Sequence, residues 1–107
     1  MTALGRIVCV TIVAEALLER RLVEDLARCG AQGWTAMVGH GHGPGHHGVS
    51  GFEGGNVRIE TLVGHETADR IWAILERDYF PNYAVTAWAY DANVARVARY
   101  GDARADG

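Results

Sequence analysis

The apolar run RIVCVTIVA, from Arg6 to Ala14, restricts the fold of this 107-residue chain more than any other segment. It is rich in valine and isoleucine, whose branched side chains favour strands. It also lacks the alternation of apolar and polar positions that a strand with one solvated face would show. The sequence therefore predicts a first strand that is buried on both faces.

A helical pattern follows in residues 15–30, EALLERRLVEDLARCG. Apolar side chains recur there every three or four positions, at Leu18, Leu22, Leu26 and Cys29. Acidic residues at the start of the segment favour a helix N-terminus, and Gly30 suits a helix end. This segment predicts the first helix, with one apolar stripe facing the core.

Two further strands are predicted at Trp34–Gly39 and Asn56–Val63. In the second of these, apolar or small side chains alternate with larger polar ones, as a strand with two different faces requires. One predicted face consists of Val57, Ile59, Thr61 and Val63, and the other of Arg58, Glu60 and Leu62.

A second helix is predicted from Thr67, a candidate N-cap, up to Pro81, which cannot continue a helix. Its buried stripe would be Ile71, Ile74, Leu75 and Tyr79. A fourth strand is predicted at Tyr83–Tyr90, followed by a short strand or turn in NVARVARYG.

The order of these elements is β-α-β-β-α-β, which predicts an α+β, ferredoxin-like fold with a four-stranded antiparallel sheet and two helices on one face. We expect a single domain over residues 1–107, with a flexible tail at about 102–107. The connection between strands two and three, at about 40–55, is much longer than an ordinary hairpin loop and is therefore expected to be functional. The sheet face without helices is expected to pack against copies of the same chain.

Composition narrows the function. The net charge of −3 argues against a general nucleic-acid binder, and no apolar run is long enough to insert into a membrane. Cys9 and Cys29 lie in apolar patterns without metal-type spacing, which predicts buried free thiols in a cytoplasmic protein. No Ser-His-Asp or Cys-His pattern suggests catalysis, so we expect a protein that is not an enzyme.

Three segments together resemble the PII signalling family. GAQGWTAMVGHGHGPGHHG, residues 30–48, is similar to the family's Gly-x-x-Gly-x-Thr turn, second strand and glycine-rich loop base. NVRIETLV resembles its third strand, and YDANVARVARYGD resembles its arginine-bearing C-terminal segment. The resemblance covers most of residues 6–102 and implies a PII-like domain.

Three departures from the main family direct the resemblance to its PII-like branch. RDYFPNYAV stands where classical members carry a glycine-rich loop with a lysine, and no tyrosine lies between His40 and Gly55. The loop base also lacks the glutamine used with magnesium and 2-oxoglutarate. The chain therefore resembles the carboxysome-associated and bicarbonate-transporter-linked PII-like proteins. These are trimers that bind adenine nucleotides between subunits, and some of them also bind bicarbonate.

The resemblance implies ADP or AMP as ligands, with ATP as a further candidate, together with bicarbonate. The implied nucleotide-binding residues are Val10, Gly33, Thr35, Gly39, Gly41, Gly43, Arg58, Glu60, Leu62, Arg96 and Arg99; those for bicarbonate are Gly41, His42, Gly43 and Arg58. Backbone N–H groups of successive glycines can form an anion-binding concavity, and arginine can hold an anion through paired hydrogen bonds. The resemblance also implies a protein target, a transporter or carboxysome component, and residence in the cytoplasm or at the carboxysome.

The loop histidines leave an alternative open. His40, His42, His46 and His47 could ligate copper or nickel, as in a trimeric protein of the divalent-cation-tolerance type. They could instead donate hydrogen bonds to an anion, make the loop pH-sensitive, or simply be solvated.

Overall fold

A computed structural model describes residues 3–41 and 55–100. These residues form four strands and two α-helices in the order βαββαβ, so the predicted α+β, ferredoxin-like fold is confirmed. The strands are β1 (Leu4–Glu15), β2 (Thr35–Gly39), β3 (Asn56–Val63) and β4 (Thr86–Ala95). The helices are α1 (Glu19–Cys29) and α2 (His65–Ile74).

The sheet has the strand order β2-β3-β1-β4, and every neighbouring pair is antiparallel. The apolar strand β1 is central, with Ile12 opposite Ile59 of β3 on one side and opposite Ala87 of β4 on the other. Its position explains its composition, because a central strand under a helix layer has little contact with water. β2 and β4 are the two edge strands.

Both helices pack on one face of the sheet and form the core with it. The predicted stripe of α1 is buried, as are the four residues expected on the core face of β3. The largest fully buried side chains include Ile12, Leu22, Ile59, Leu75 and Tyr79. Each large side chain removed from water contributes roughly 1.5–3 kcal/mol, so this layer supplies most of the stability of the subunit.

The start of α2 differs from the prediction. The helix begins at His65 with Gly64 as its N-cap, and the Thr67 side chain is buried inside it. The Thr67 hydroxyl accepts a hydrogen bond from Arg70 (2.9 Å), and the Nε of Arg70 donates to the Cys29 carbonyl at the end of α1. Thr67 therefore belongs to a link between the two helices and not to a cap.

The end of α2 continues into a π-helical segment, Leu75–Tyr79, before the turn that contains Pro81. β4 begins at Thr86, three residues later than predicted, because the preceding backbone is used in turns. The Tyr83 N–H donates to the Tyr79 carbonyl and the Val85 N–H donates to the Tyr83 carbonyl, each at a distance of 2.9 Å. At its other end β4 runs on to Ala95, so that part of the predicted short strand or turn belongs to it.

No helix within residues 3–41 and 55–100 is long and apolar enough to cross a membrane.

Candidate functional site

The sheet face opposite the helices, called the open face below, holds most of the strand residues singled out from the sequence. Strand register places Thr35 of β2 opposite Glu60 of β3, Glu60 opposite Thr11 of β1, and Thr11 opposite Trp88 of β4. These four residues form one row across the whole sheet. Arg58 lies one row away on the same strand face as Glu60, because side chains two positions apart in a strand point the same way.

A polar cluster lies at the centre of the open face. The guanidinium of Arg58 donates a hydrogen bond to Oε2 of Glu60 at a distance of 2.9 Å, and the Thr11 hydroxyl donates to the same oxygen at 3.3 Å. Arg58 also lies over the Trp88 ring, 5.4 Å from its centroid. Because a guanidinium has five N–H donors in a fixed plane, Glu60 and Trp88 can orient Arg58 while leaving donors for an anion.

Cys9 and Tyr90 extend this cluster along the next row. Cys9 is opposite Leu62 on one side and opposite Tyr90 on the other. Contact with the Cys9 side chain, by hydrogen bonding and charge, raises the pKa of the Tyr90 hydroxyl. Tyr90 and Trp88 are both partly exposed, so the open face of an isolated subunit leaves aromatic surface in contact with water.

Val10 does not belong to this face. It is fully buried beneath the helices and is opposite Thr61, whereas Leu62 points to the open face. Val10 and Leu62 therefore cannot flank one ligand in this subunit. The β1 residue beside Leu62 is Cys9, and a shift of one residue in a strand exchanges its two faces.

The turn from α1 to β2 is held to the sheet. Gly30 ends α1 with φ 110°, and the Thr61 hydroxyl donates to the Gly33 carbonyl over 2.6 Å. Thr35 follows at the start of β2, on the open face and exposed. The predicted residues Gly33 and Thr35 thus lie at a fixed turn beside Glu60.

The base of the long loop is described on both of its sides. Gly55 has φ 77°, and a Cβ there would lie 3.2 Å from the Gly39 carbonyl oxygen. Gly41 has no positive φ, and among residues 3–41 and 55–100 a Cβ on it would meet only Nδ2 of Asn56, at 3.4 Å. Of the described glycines at the loop base, the one whose backbone requires glycine is therefore Gly55. It was not among the predicted site residues, although the tandem Gly54-Gly55 before β3 signals a turn.

The C-terminal arginines lie at the opposite end of the sheet from Arg58. β4 ends at Ala95, which is opposite Leu4, whereas Arg58 is opposite Val13. Those two β1 positions are nine residues apart, or about 30 Å at 3.3 Å per residue. This separation exceeds the combined reach of two arginine side chains, and it places Arg58 and the start of the C-terminal turn at opposite ends of the subunit.

Arg96 begins the turn that follows β4. It has φ 58°, the only positive φ of a non-glycine residue in the described part of the chain, and its carbonyl accepts from the Arg99 N–H over 3.0 Å. Residues 97–100 then form a short 3-10 turn. A left-handed conformation costs a residue with a side chain roughly 1–2 kcal/mol, so packing around this turn must offset that cost.

The turn between α2 and β4 is attached to α1. Arg21 donates to the Tyr83 hydroxyl over 3.0 Å and lies over the Tyr79 ring, 4.6 Å from its centroid. The Tyr79 hydroxyl in turn donates to Oδ2 of Asp25 over 2.5 Å. This turn contains no basic side chain after Arg77, which pairs with Asp78.

The predicted loop histidines are only partly accounted for. His40 is exposed just after β2, and His42, Gly43, His46 and His47 lie outside the described residues. Within residues 3–41 and 55–100, no group of three or more histidine, cysteine or acidic residues is placed to hold a metal ion.

Comparison with protein families matches residues 7–101 to the family described as nitrogen regulatory protein P-II. No match was found among curated proteins. Among solved structures, a PII-like signalling protein from Thermus thermophilus is 44% identical, with a TM-score of 0.79 over 92% of this chain and 98% of that chain. The match to the family model and the 44% identity to this structure both show to which family the chain belongs.

Two more distant structures are similar in fold alone. The CPII protein of Thiomonas intermedia K12, bound to ADP and bicarbonate, is 17% identical, with a TM-score of 0.81 over 94% of this chain and 99% of that chain. The GlnK–ATP complex of B. subtilis is 18% identical, with a TM-score of 0.60 over 82% and 85% of the two chains. The chain therefore belongs to the nitrogen regulatory protein P-II family, within its PII-like branch.

Proposed function

We propose that this protein is a non-catalytic regulator that assembles as a homotrimer and binds ADP or AMP, together with bicarbonate, in clefts between subunits. The observation that supports this most directly is the separation of about 30 Å between the Arg58 end and the Arg99 end of β1. Two arginine sites at opposite ends of one sheet can meet on one phosphate chain only if a second subunit supplies one of them. The binding of ADP and bicarbonate by the CPII protein of the same fold suggests which ligands to test.

The open face supplies a reason for assembly. Trp88 and Tyr90 are partly exposed there, and Trp34 and Met37 add apolar surface near β2. Exposed aromatic surface of this kind is typical of a protein interface. Packing of the open faces around a threefold axis would cover it and bring the C-terminal turn of one subunit towards its neighbour.

The choice of nucleotide follows from the turn between α2 and β4. Arg21 donates a hydrogen bond to Tyr83 there, and Arg77 is paired with Asp78. This turn therefore has no unpaired cation that could bind a third phosphate. We therefore expect ATP to bind no more tightly than ADP. Titration calorimetry with AMP, ADP and ATP measures the ranking, and a clear preference for ATP would contradict the proposal.

The signal would pass through the loop at 40–55. A ligand bound at the loop base would contact the glycines at both ends of the loop. It can then shift the population of loop conformations if it binds one conformation more tightly than another. We infer that a protein target reads this change, a transporter or carboxysome component in inorganic carbon metabolism, in the cytoplasm or at the carboxysome. Capture of such a target in the presence of ADP, and not in its absence, is the expected result.

Subunit mixing tests the shared site directly. Arg58→Ala and Arg99→Ala proteins are each expected to lose ADP affinity, by about ten- to a hundredfold, since each removes a charge-assisted contact. Dissociated and reassembled mixtures of the two should regain full affinity at roughly a quarter of their sites, where an intact Arg58 meets an intact Arg99 of the neighbour.

A site within one subunit would regain nothing on mixing, because no chain then holds both arginines. Sedimentation of the wild-type protein gives the second reading. A stable monomer of 11.6 kDa at micromolar concentration would exclude the intersubunit site altogether.

A further inference from the structure

We propose that the side-chain amide of Asn56 is a ligand group for a small anion at the base of the long loop. We infer further that it selects bicarbonate over planar anions that carry no O–H group. This inference rests on the proposed function, because it adds a residue and a selectivity to the bicarbonate site. Asn56 was not among the site residues predicted from the sequence.

The carboxamide of Asn56 is buried and has no partner. Asn56 is the first residue of β3, and only 8% of it is exposed. Within residues 3–41 and 55–100, its side chain forms no hydrogen bond with another residue. Among those residues, no fully enclosed side-chain N or O atom lacks a partner, so the unpartnered amide must reach solvent through that exposed part. A polar group that is desolvated without a partner is costly, which points to a ligand that completes its hydrogen bonds.

Two glycines leave space in front of this amide. Gly39, the last residue of β2, is directly opposite Asn56, and a Cβ on Gly39 would have no atom within 4 Å. A Cβ on Gly41 would lie 3.4 Å from Nδ2 of Asn56. The amide therefore lies beside the start of the loop, where two absent side chains leave room for a ligand of a few atoms.

The charges around the amide favour a single negative charge. Arg58 is two residues further along β3, so its side chain is on the same face as Asn56 and has donors beyond its bond to Glu60. On the other side of Asn56, the opposite residue of β1 is Glu15, which is partly buried. One cation beside two carboxylates can attract a singly charged anion to the cation, whereas a second charge on the ligand would be repelled. Carbonate and dicarboxylates are therefore disfavoured.

The chemistry of a carboxamide selects among singly charged anions. It has N–H donors and a carbonyl acceptor, so it matches a ligand that has both acceptors and a donor. Bicarbonate is such a ligand, because its oxygens accept and its O–H donates. Nitrate has the same planar shape and charge but no donor, so it would leave the amide carbonyl unpaired. A buried site discriminates strongly against an analogue that leaves one of its polar groups unpaired.

The test compares bicarbonate and nitrate by titration calorimetry on the full-length protein saturated with ADP, at constant ionic strength and a mildly alkaline pH. We expect the wild type to bind bicarbonate about tenfold or more tightly than nitrate. Asn56→Leu should weaken bicarbonate binding by about tenfold or more and remove the preference. Asn93→Leu changes an exposed asparagine near the far end of β4 and should behave like the wild type.

Stability without ligand gives a second readout, which distinguishes a binding role from a structural one. Leucine has nearly the shape of asparagine and no polar atoms, so Asn56→Leu removes an unpartnered amide from a buried position. The denaturant midpoint of this variant should therefore rise while its bicarbonate affinity falls. A structural role for the amide would lower the midpoint.

The outcomes separate this inference from the proposed function. Equal bicarbonate affinity of the wild type and Asn56→Leu, or a lowered midpoint of Asn56→Leu, would overturn the role of Asn56 and leave the bicarbonate site in place. Equal binding of nitrate and bicarbonate by the wild type would overturn the selectivity. A wild type that binds ADP and no bicarbonate would remove the bicarbonate part of the proposed function, and this inference with it.

Discussion

Arg58 and Glu60 lie two residues apart on β3 and point to the same face, where Arg58 donates a 2.9 Å hydrogen bond to Oε2 of Glu60. The pair is only partly buried, with 46% of the Arg58 side chain and 30% of the Glu60 side chain exposed. Such a pair contributes little to stability by itself, about 0–1 kcal/mol, because water screens it. Its value lies in orientation, since Glu60 fixes one edge of the guanidinium and leaves the other accessible.

This geometry predicts different effects for the two members of the pair. Arg58→Ala should weaken ADP binding by about ten- to a hundredfold, because a charge-assisted contact to phosphate is lost. Glu60→Gln should weaken it less, because glutamine keeps an acceptor for Arg58 and only the charge is removed. Calorimetry at constant ionic strength measures both affinities.

Arg20→Ala is the matched control for Arg58. Its guanidinium is also paired with a glutamate, Glu24, but 91% of the side chain is exposed on α1. Wild-type affinity is expected for this variant. If Arg58→Ala also bound ADP like the wild type, the proposed role of Arg58 would be wrong.

A second prediction concerns alkaline pH. Burial, followed by the hydrogen bond to Asp25, raises the pKa of the Tyr79 hydroxyl far above its ordinary value near 10. Burial likewise raises the pKa of the Cys29 thiol. Both groups then lose protons more readily in the unfolded chain, so the free energy of unfolding should fall as the pH rises above about 9–10. The chain has no lysine to add a titration in this range.

Tyr79→Phe tests the origin of that loss. The substitution removes the hydrogen bond to Asp25 and should lower the free energy of unfolding at pH 7 by about 1–3 kcal/mol. It should also make the unfolding free energy less sensitive to pH between about 9 and 11. Tyr83→Phe is the control, since the Tyr83 hydroxyl lies at the surface and only accepts from Arg21. Denaturant unfolding of each variant at several pH values would contradict the prediction if both behaved alike.

The fold was predictable from the sequence because its regular patterns have single solutions. The stripe of α1 and the alternation in β3 each specify one buried face, and the structure has both. The cap of α2 was not predictable, since the Thr67 hydroxyl can cap a helix or bond to Arg70, and only the packing of α2 against α1 selects the second. The end of α2 was also not predictable from the sequence, because the turn that precedes β4 hydrogen-bonds to the Tyr79 carbonyl.

The sequence does not show on which face of the sheet each predicted site residue lies. Thr35 and Glu60 are directly opposite one another on β2 and β3, and a nucleotide ligand shared by them stays a prediction. Val10 was assigned to that ligand although it lies under the helices, because an apolar strand gives no sign of which side chain faces which way. The distance between Arg58 and the C-terminal arginines depends on the sheet register, which the sequence does not specify.

A third prediction concerns Gly5, where β1 meets the C-terminal turn. A Cβ at this position would lie 2.3 Å from Cγ1 of Val97 and 2.7 Å from its Cβ. Gly5→Ala should therefore displace the 97–100 turn or destabilise the protein by about 1–3 kcal/mol. Because Arg99 lies on that turn, ADP affinity should fall as well. Gly33→Ala, where nothing lies within 4 Å of the added carbon, should not change the unfolding free energy.

A shorter side chain at Val97 distinguishes displacement of the 97–100 turn from a general loss of stability. Gly5→Ala combined with Val97→Gly leaves room for the new methyl group and should recover part of the ADP affinity. Calorimetry well below the midpoint of thermal unfolding compares the variants in their folded state. Loss of affinity that is unchanged in the double variant would contradict a role for this contact in placing the turn.

The last prediction concerns the two sides of the loop base. Gly55 has φ 77° and approaches the Gly39 carbonyl, so Gly55→Ala should cost roughly 1–2 kcal/mol in backbone strain and distort the entry to β3. Gly41→Val should weaken ADP or bicarbonate binding through its contact with Asn56, with a smaller effect on stability. Gly39→Ala has open space around the added carbon and is the stability control.

Substitutions of the loop histidines are expected to have the opposite effect from those of the glycines at the loop base. His46→Ala combined with His47→Ala should leave ADP and bicarbonate affinity nearly unchanged if the backbone at the loop base is the ligand. Parallel titrations with copper or zinc measure whether the same variant loses metal binding. Loss of tight metal binding in the histidine variant, together with no nucleotide binding by the wild type, would reverse the assignment in favour of a metal protein, because imidazoles and not backbone amides would then be the ligands.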